Sequence, residues 1–272
     1  MSTENNFAGS FVKFERCKSI PQIPVMRIRE KLDSYTDRKD YDGAARHLEY
    51  WLAEAKAAGD LRGEFVVRNE MMGVFRKKND RDKAIESAEA AIALISELEN
   101  GDTISAGTAY VNAGTVYDCF GDPEKAIGCF DEARKIYEAE LDGGDERLGG
   151  LYNNMALALV DLGRYGEASA YYEKALTVMG KQPAGQLEQA ITYLNIANLK
   201  EAETGLEAAD EQIFGCLENA ERLLKDPSLA HNGYYAFVCE KCAPTFSYYG
   251  WFTAAAELQK EADRIYASAD GE

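Results

Sequence analysis

Apolar residues recur at helical spacing along most of the chain, in stretches that come as pairs separated by a short turn. The clearest pair lies between Asp145 and Gly180. Its first stretch puts Leu151, Met155, Ala158 and Leu162 on one helical face. Gly163 follows, a residue that ends a helix in the left-handed conformation without a Cβ penalty. The second stretch puts Ala168, Tyr172, Ala175 and Val178 on its inner face. Small residues at Ala156, Ala168 and Ala175 let the two helices approach closely. Neither helix buries its stripe alone, so the pair requires similar pairs on both sides.

Those pairs are present. Aligned on a residue early in each second helix, the chain gives Ala44, Ala84, Ala126, Ala168, Ile213 and Ala255, at spacings of 40, 42, 42, 45 and 42. Five positions earlier stand turn residues: Lys39, Asn79, Gly121, Gly163, Ala208 and Gly250. Seven positions later the residue is small at Ala91, Ala133, Ala175, Ala220 and Ala262, with Trp51 the exception. The spacing of 45 predicts a longer inner turn over ETGLEAAD in the fifth pair. Asp102 is expected to cap one helix, and Asp122-Pro123-Glu124 to open another with cap, proline and acid in the favoured order. Pro244 is expected to kink the first helix of the sixth pair. Gln259 stands where other pairs place Phe130, Tyr172 or Leu217, so the last helix is expected to be an end cap with a polar outer face and no further domain behind it.

At Tyr110, Ala113, Gly114, Tyr117, Gly121, Ala126, Phe130 and Ala133 the chain resembles the tetratricopeptide repeat (TPR) family. It does so again at Tyr152, Met155, Ala156, Leu159, Gly163, Ala168, Tyr172 and Ala175, and the resemblance covers roughly residues 24 to 268. That family's usual period is about 34 residues. Here it is near 42, so each helix gains about four residues, or roughly 6 Å. The longer repeat is similar to the kinesin light chain branch of the family. The resemblance implies an all-α, right-handed superhelical solenoid of six helix pairs over 24–272, preceded by an N-terminal strap or tail at 1–23 that carries Phe7, Phe11 and Phe14. It also implies that the first helix of each pair lines a concave groove, which the strap itself is one candidate to occupy.

Composition narrows the chemistry. A net charge of −17 at pH 7 repels nucleic acid and anionic lipid, whose phosphates need clustered Lys and Arg. No run approaches the ~20 apolar residues of a membrane span, and the N-terminus lacks the basic and apolar regions of a secretory signal. The expectation is a cytoplasmic protein without cofactor or metal, which binds neither nucleic acid nor membrane and has an undetermined oligomeric state. The six cysteines fall mostly on inner helix faces rather than in a disulfide framework. Cys239 and Cys242 share a helix interior, which favours a structural role over redox chemistry. The only histidines, His47 and His231, lie on separate pairs at expected surface positions, so no catalytic set converges and no enzymatic activity is expected.

One constellation runs against local propensity. First helices carry asparagine at Asn69, Asn112, Asn153, Asn154 and Asn195, although Asn is a mediocre helix former. Asn112, Asn154 and Asn195 share one register, and Asn69 and Asn153 lie one residue earlier. A carboxamide offers donors and an acceptor and so can pair with the backbone of an extended chain. The resemblance points these side chains into the groove, with Val111, Thr115, Leu157 and Tyr193 as neighbours. The alternative is that they brace adjacent helices. Chaperone-tail-binding members of the family hold a terminal carboxylate with Lys, Arg and Asn. Here Arg29 and Asn69 match part of that clamp, but Thr108 and Asn112 replace its basic residues. A small basic set, Arg68, Arg76, Lys77 and Lys78, lies near the second pair.

The function expected is a non-catalytic scaffold for protein–protein interaction, binding an extended peptide or protein segment through this asparagine ladder. A bacterial signalling-peptide receptor or regulator and a self-assembling structural module are the alternatives.

Overall fold

The structure, a computed structural model, describes residues 22–99, 101, 103–183 and 185–269. The strap expected at 1–23 lies outside the described residues except for Gln22 and Ile23, and so does the expected cap Asp102. The described residues form twelve α-helices and no strand. In order they are α1 (Val25–Thr36), α2 (Tyr41–Ala58), α3 (Leu61–Lys77), α4 (Arg81–Glu97), α5 (Ile104–Cys119), α6 (Pro123–Glu140), α7 (Glu146–Asp161), α8 (Tyr165–Met179), α9 (Gln186–Thr204), α10 (Leu206–Leu224), α11 (Gly233–Tyr248) and α12 (Phe252–Ala269).

The starts are set by short polar side chains. Asp40, Asp60, Asp80, Asp122 and Asp145 each accept a backbone N–H in the first turn of the helix they open. Pro123 takes the first position of α6, where its missing N–H costs nothing. At α5 the cap is Thr103, whose hydroxyl accepts the Ala106 N–H at 3.2 Å. α11 continues through Pro244.

Inside the pairs the turn residues adopt positive φ: Lys39 and Asn79 at 56°, Gly163 at 69°, Gly121 at 80° and Gly250 at 81°. The fifth pair differs from expectation. ETGLEAAD is not a long turn: α9 runs to Thr204, Gly205 alone breaks the chain at φ 85°, and α10 begins at Leu206. Glu and Ala are good helix formers, so Leu206–Asp210 joins the helix and only the glycine interrupts it. The residue matching Ala168 is therefore Ala209, not Ile213. Ala44, Ala84, Ala126, Ala168, Ala209 and Ala255 each donate N–H to the carbonyl that starts the second helix. All six are buried at helix contacts.

The chain divides into two compact units, Met1–Gly121 and Asp122–Glu272, parted at the turn between α5 and α6. In the first, helices pack on their chain neighbours and α3 also lies beside α5. In the second, α7 lies beside α9 and α9 beside α11, so first helices stand side by side. The core of the second unit includes Leu159, Tyr172 and Leu199 between α7, α8 and α9, and a larger cluster with Leu194, Leu217, Val238 and Phe246 between α9 and α12. Gln259 is exposed and donates to Asp263 on its own helix.

Candidate functional site

With Ala209 as the fifth reference point, the position fourteen residues earlier reads Glu30, Glu70, Asn112, Asn154, Asn195 and Lys241 along the six first helices. One residue earlier still it reads Arg29, Asn69, Val111, Asn153, Leu194 and Glu240. A single geometric rule links the two series. The side chain at the earlier position of one first helix bonds the later position of the next. Arg29 Nε donates to Glu70 Oε1 at 2.8 Å. Asn112 Nδ2 donates to Asn69 Oδ1 at 3.0 Å. Asn195 Nδ2 donates to Asn153 Oδ1 at 3.1 Å, and the Thr192 hydroxyl reaches the same oxygen at 3.3 Å.

These four asparagines therefore brace adjacent first helices within their units, and all four are half-buried. Asn154 is different. Among the described residues its half-buried carboxamide has no hydrogen-bond partner. Lys241, whose register partner is Leu194, likewise makes no ion pair among the described residues. Of the expected neighbours, Val111, Thr115, Leu157 and Tyr193 are all half-buried. Thr115 spends its hydroxyl on the Val111 carbonyl of its own helix at 2.9 Å. Tyr193 packs against the core between α9 and α12.

The basic set near the second pair is largely committed elsewhere. Arg68 is 4 % exposed and bonds Glu86 at 3.0 Å, with Glu64 at 3.5 Å. Lys78 pairs with Asp42. The histidines are structural as well. His47, half-buried rather than on the surface, lies 3.0 Å from the Ile28 carbonyl of α1, and exposed His231 meets Glu261 at 2.7 Å and stacks on Tyr235. Cys239 and Cys242 are buried, and burial pushes their thiols up to about 11 and about 12, which removes the thiolate that redox exchange needs. Among the described residues no group of His, Cys, Asp and Glu is arranged to hold a metal ion, and no helix is long and apolar enough to cross a membrane.

Sequence reasoning missed a cavity of about 590 Å³ in the second unit, lined by Glu146, Gly150, Met179, Pro183, Glu188 and Tyr234 among others. Gly150 precedes Asn154 by one helical turn, so both lie on one face of α7. Glu188 and Tyr234 occupy equivalent positions of α9 and α11, seven residues before Asn195 and Lys241, and the Tyr234 hydroxyl donates to Glu188 Oε1. Burial holds the Glu188 carboxyl above the usual range, Glu146 adds to this and Lys241 opposes it. No local signal marked these residues, because acids are dense throughout the chain.

The fold and this face define an all-α helical-repeat protein whose first helices carry polar groups in register. Tetratricopeptide-repeat family models match residues 67–139 and 150–178. Those segments carry tetratricopeptide repeats, and the fold is similar to that of the kinesin light chain-like repeat structures. A putative kinesin light chain from Podosopora anserina with nearly identical TPR-like repeats is 14% identical, with a TM-score of 0.53 over 75% of this chain and 95% of that one. BtubC (BKLC) from P. vanneervenii is 19% identical, with a TM-score of 0.55 over 87% and 93%. The apo form of RapI is 11% identical, with a TM-score of 0.58 over 96% and 90%. At these identities the likeness is one of fold. No curated protein matches the chain.

Proposed function

We propose that the chain is a non-catalytic scaffold that binds an extended peptide or protein segment of a partner along its first-helix faces. The carrying observation is Asn154, a half-buried carboxamide with no partner among the described residues, at the register where Asn112 and Asn195 stand on other first helices. Asn112 and Asn195 each commit one N–H to a brace. A carboxamide has a second N–H and an oxygen with two lone pairs, so a braced asparagine still has groups for a ligand. The braces also fix the side chains in advance, which lowers the ordering cost of binding. Each backbone contact contributes about 0.5–1.5 kcal/mol, so several in register hold a peptide with little demand on its side chains.

The test is to pan a random-sequence peptide library on the intact protein and titrate a selected peptide by calorimetry. Asn154→Ala, which removes no brace, is expected to weaken binding about three- to ten-fold, the equivalent of one hydrogen bond. Selected peptides that bind the Asn154→Ala form as tightly as the natural chain would overturn the assignment.

A further inference from the structure

The cavity beside Gly150 opens on the same helical face as Asn154, and its make-up says what a peptide on that face must carry. One wall is apolar: Met179 and Pro183 line it. Two glycines build that wall. A Cβ on Gly149 would stand 2.5 Å from Met179 Cε, and a Cβ on Gly185 would stand 1.8 Å from the Met179 carbonyl oxygen. The same lining includes the carboxylates Glu146 and Glu188, and Tyr234, whose hydroxyl donates to Glu188.

No ion pair among the described residues neutralises either carboxylate. Arg147, next in the chain to Glu146, is folded back on Asp145 with bonds of 2.8 and 2.6 Å. Lys241 acts on Glu188 through space without pairing with it. Each acid lies in the first turn of its helix, α7 or α9, where the helix end contributes about half a positive charge. Two full negative charges exceed that offset. The remaining cations of these first helices do not compensate: Lys200 pairs with Glu203 at 2.9 Å.

We infer that this cavity takes the cationic side chain of a peptide, lysine or arginine, as the anchor of the segment bound along α7, α9 and α11. This rests on the peptide-binding reading and adds the ligand's required charge. The methylene stem lies against Met179 and Pro183, as long cationic side chains do on apolar surface. The charged head meets Glu188 and Glu146, over the exposed ring of Tyr234. An acidic side chain would face two like charges. The net charge of −17 draws a cationic segment to the protein before contact.

The test uses the full chain with carbon-13 labelled methionine methyls, the Met179 signal being assigned by Met179→Leu. The probes are acetyl-Gly-Ser-Ala-X-Ala-Ser-Gly-amide peptides with X as arginine, lysine, citrulline, norleucine or glutamate. Arginine and lysine peptides are expected to shift the Met179 signal saturably, with citrulline, norleucine and glutamate at least about five-fold weaker, the loss of one charge-assisted bond. Glu188→Gln, which keeps an acceptor for the Tyr234 hydroxyl, is expected to bring the arginine peptide down to the citrulline level. Equal binding of citrulline and arginine, or no shift with any probe, overturns the inference. Equal binding of butylamine and the arginine peptide also overturns it, since the cavity would then take small amines. If Asn154→Ala weakens the arginine peptide and Glu188→Gln does not, the peptide face stands and the cavity assignment falls.

Discussion

Asn195 donates to Asn153 at 3.1 Å across α9 and α7, and Asn112 makes the same bond to Asn69 at 3.0 Å across α5 and α3. In each case the donor belongs to the later repeat and sits one register position further along its helix. The offset is the same as that of the Arg29–Glu70 pair, so the position selects for a bridge and not for one chemistry. Repeated asparagine in helix interiors, unfavourable locally, is offset by bonds between neighbouring repeats.

The first prediction follows from that contrast. Asn153→Ala strips the acceptor from Asn195, while Thr192 keeps its 2.9 Å bond to the Glu188 carbonyl, and is expected to cost about 1–2 kcal/mol. Asn154→Ala removes no bond and is expected to stay within about 0.5 kcal/mol. Urea midpoints of the two variants measure this. A larger loss for Asn154→Ala would mean the braces are misassigned.

A second prediction concerns pH. Burial raises the Glu188 carboxyl above its unfolded value, so the fold disfavours its ionised form. A group shifted upward favours the fold below the unfolded value and loses that contribution as pH rises through the folded one. Glu188→Gln should therefore melt higher than the natural chain at neutral pH. Below the ordinary carboxylate range the difference should vanish. Melting curves across that interval check the sign, and a difference that grows as pH falls would contradict it.

The third prediction is at Asp60, only 6 % exposed. One of its oxygens caps α3 through the Gly63 N–H, and the other accepts the Ile23 N–H at 2.9 Å. Asp60→Ala loses the cap and strands a buried N–H, about 2–3 kcal/mol together. Asp80→Ala loses only the bond from the Lys83 N–H, about 1 kcal/mol. Denaturant titration of the pair tests whether Asp60 has both roles.

Much of the fold was legible in the sequence, because a repeat states its pattern several times. The positive-φ turns at Lys39, Asn79, Gly121, Gly163 and Gly250 fall where the alignment puts them. The fifth turn was misread because Ile213, buried like the aligned alanines, matched the period better than Ala209. The candidate site was only half legible. Register identified the asparagines, but the partner of each is set by a diagonal offset between helices that sequence spacing does not show. The cavity gave no signal, since its walls come from a loop and four helices, some distant in sequence.

A fourth prediction checks the corrected turn. Gly205 has φ 85° and ψ 157°, a conformation open essentially to glycine. Gly205→Ala is expected to cost about 1–3 kcal/mol although a Cβ there meets no atom within 4 Å. Ala208 lies in α10, so Ala208→Gly should cost up to about 1 kcal/mol, where a true turn residue would tolerate glycine freely. Thermal melts of both variants decide between the two turns.

The contact between a carboxamide and a peptide backbone is tested most directly by a double-mutant cycle. A library-selected peptide, N-methylated at successive residues, is titrated against the natural chain and the Asn154→Ala form. One peptide position is expected whose methylation couples to Asn154→Ala by about 0.5–1.5 kcal/mol, the worth of a single hydrogen bond. Losses that add at every position, to within about 0.3–0.5 kcal/mol, would contradict it.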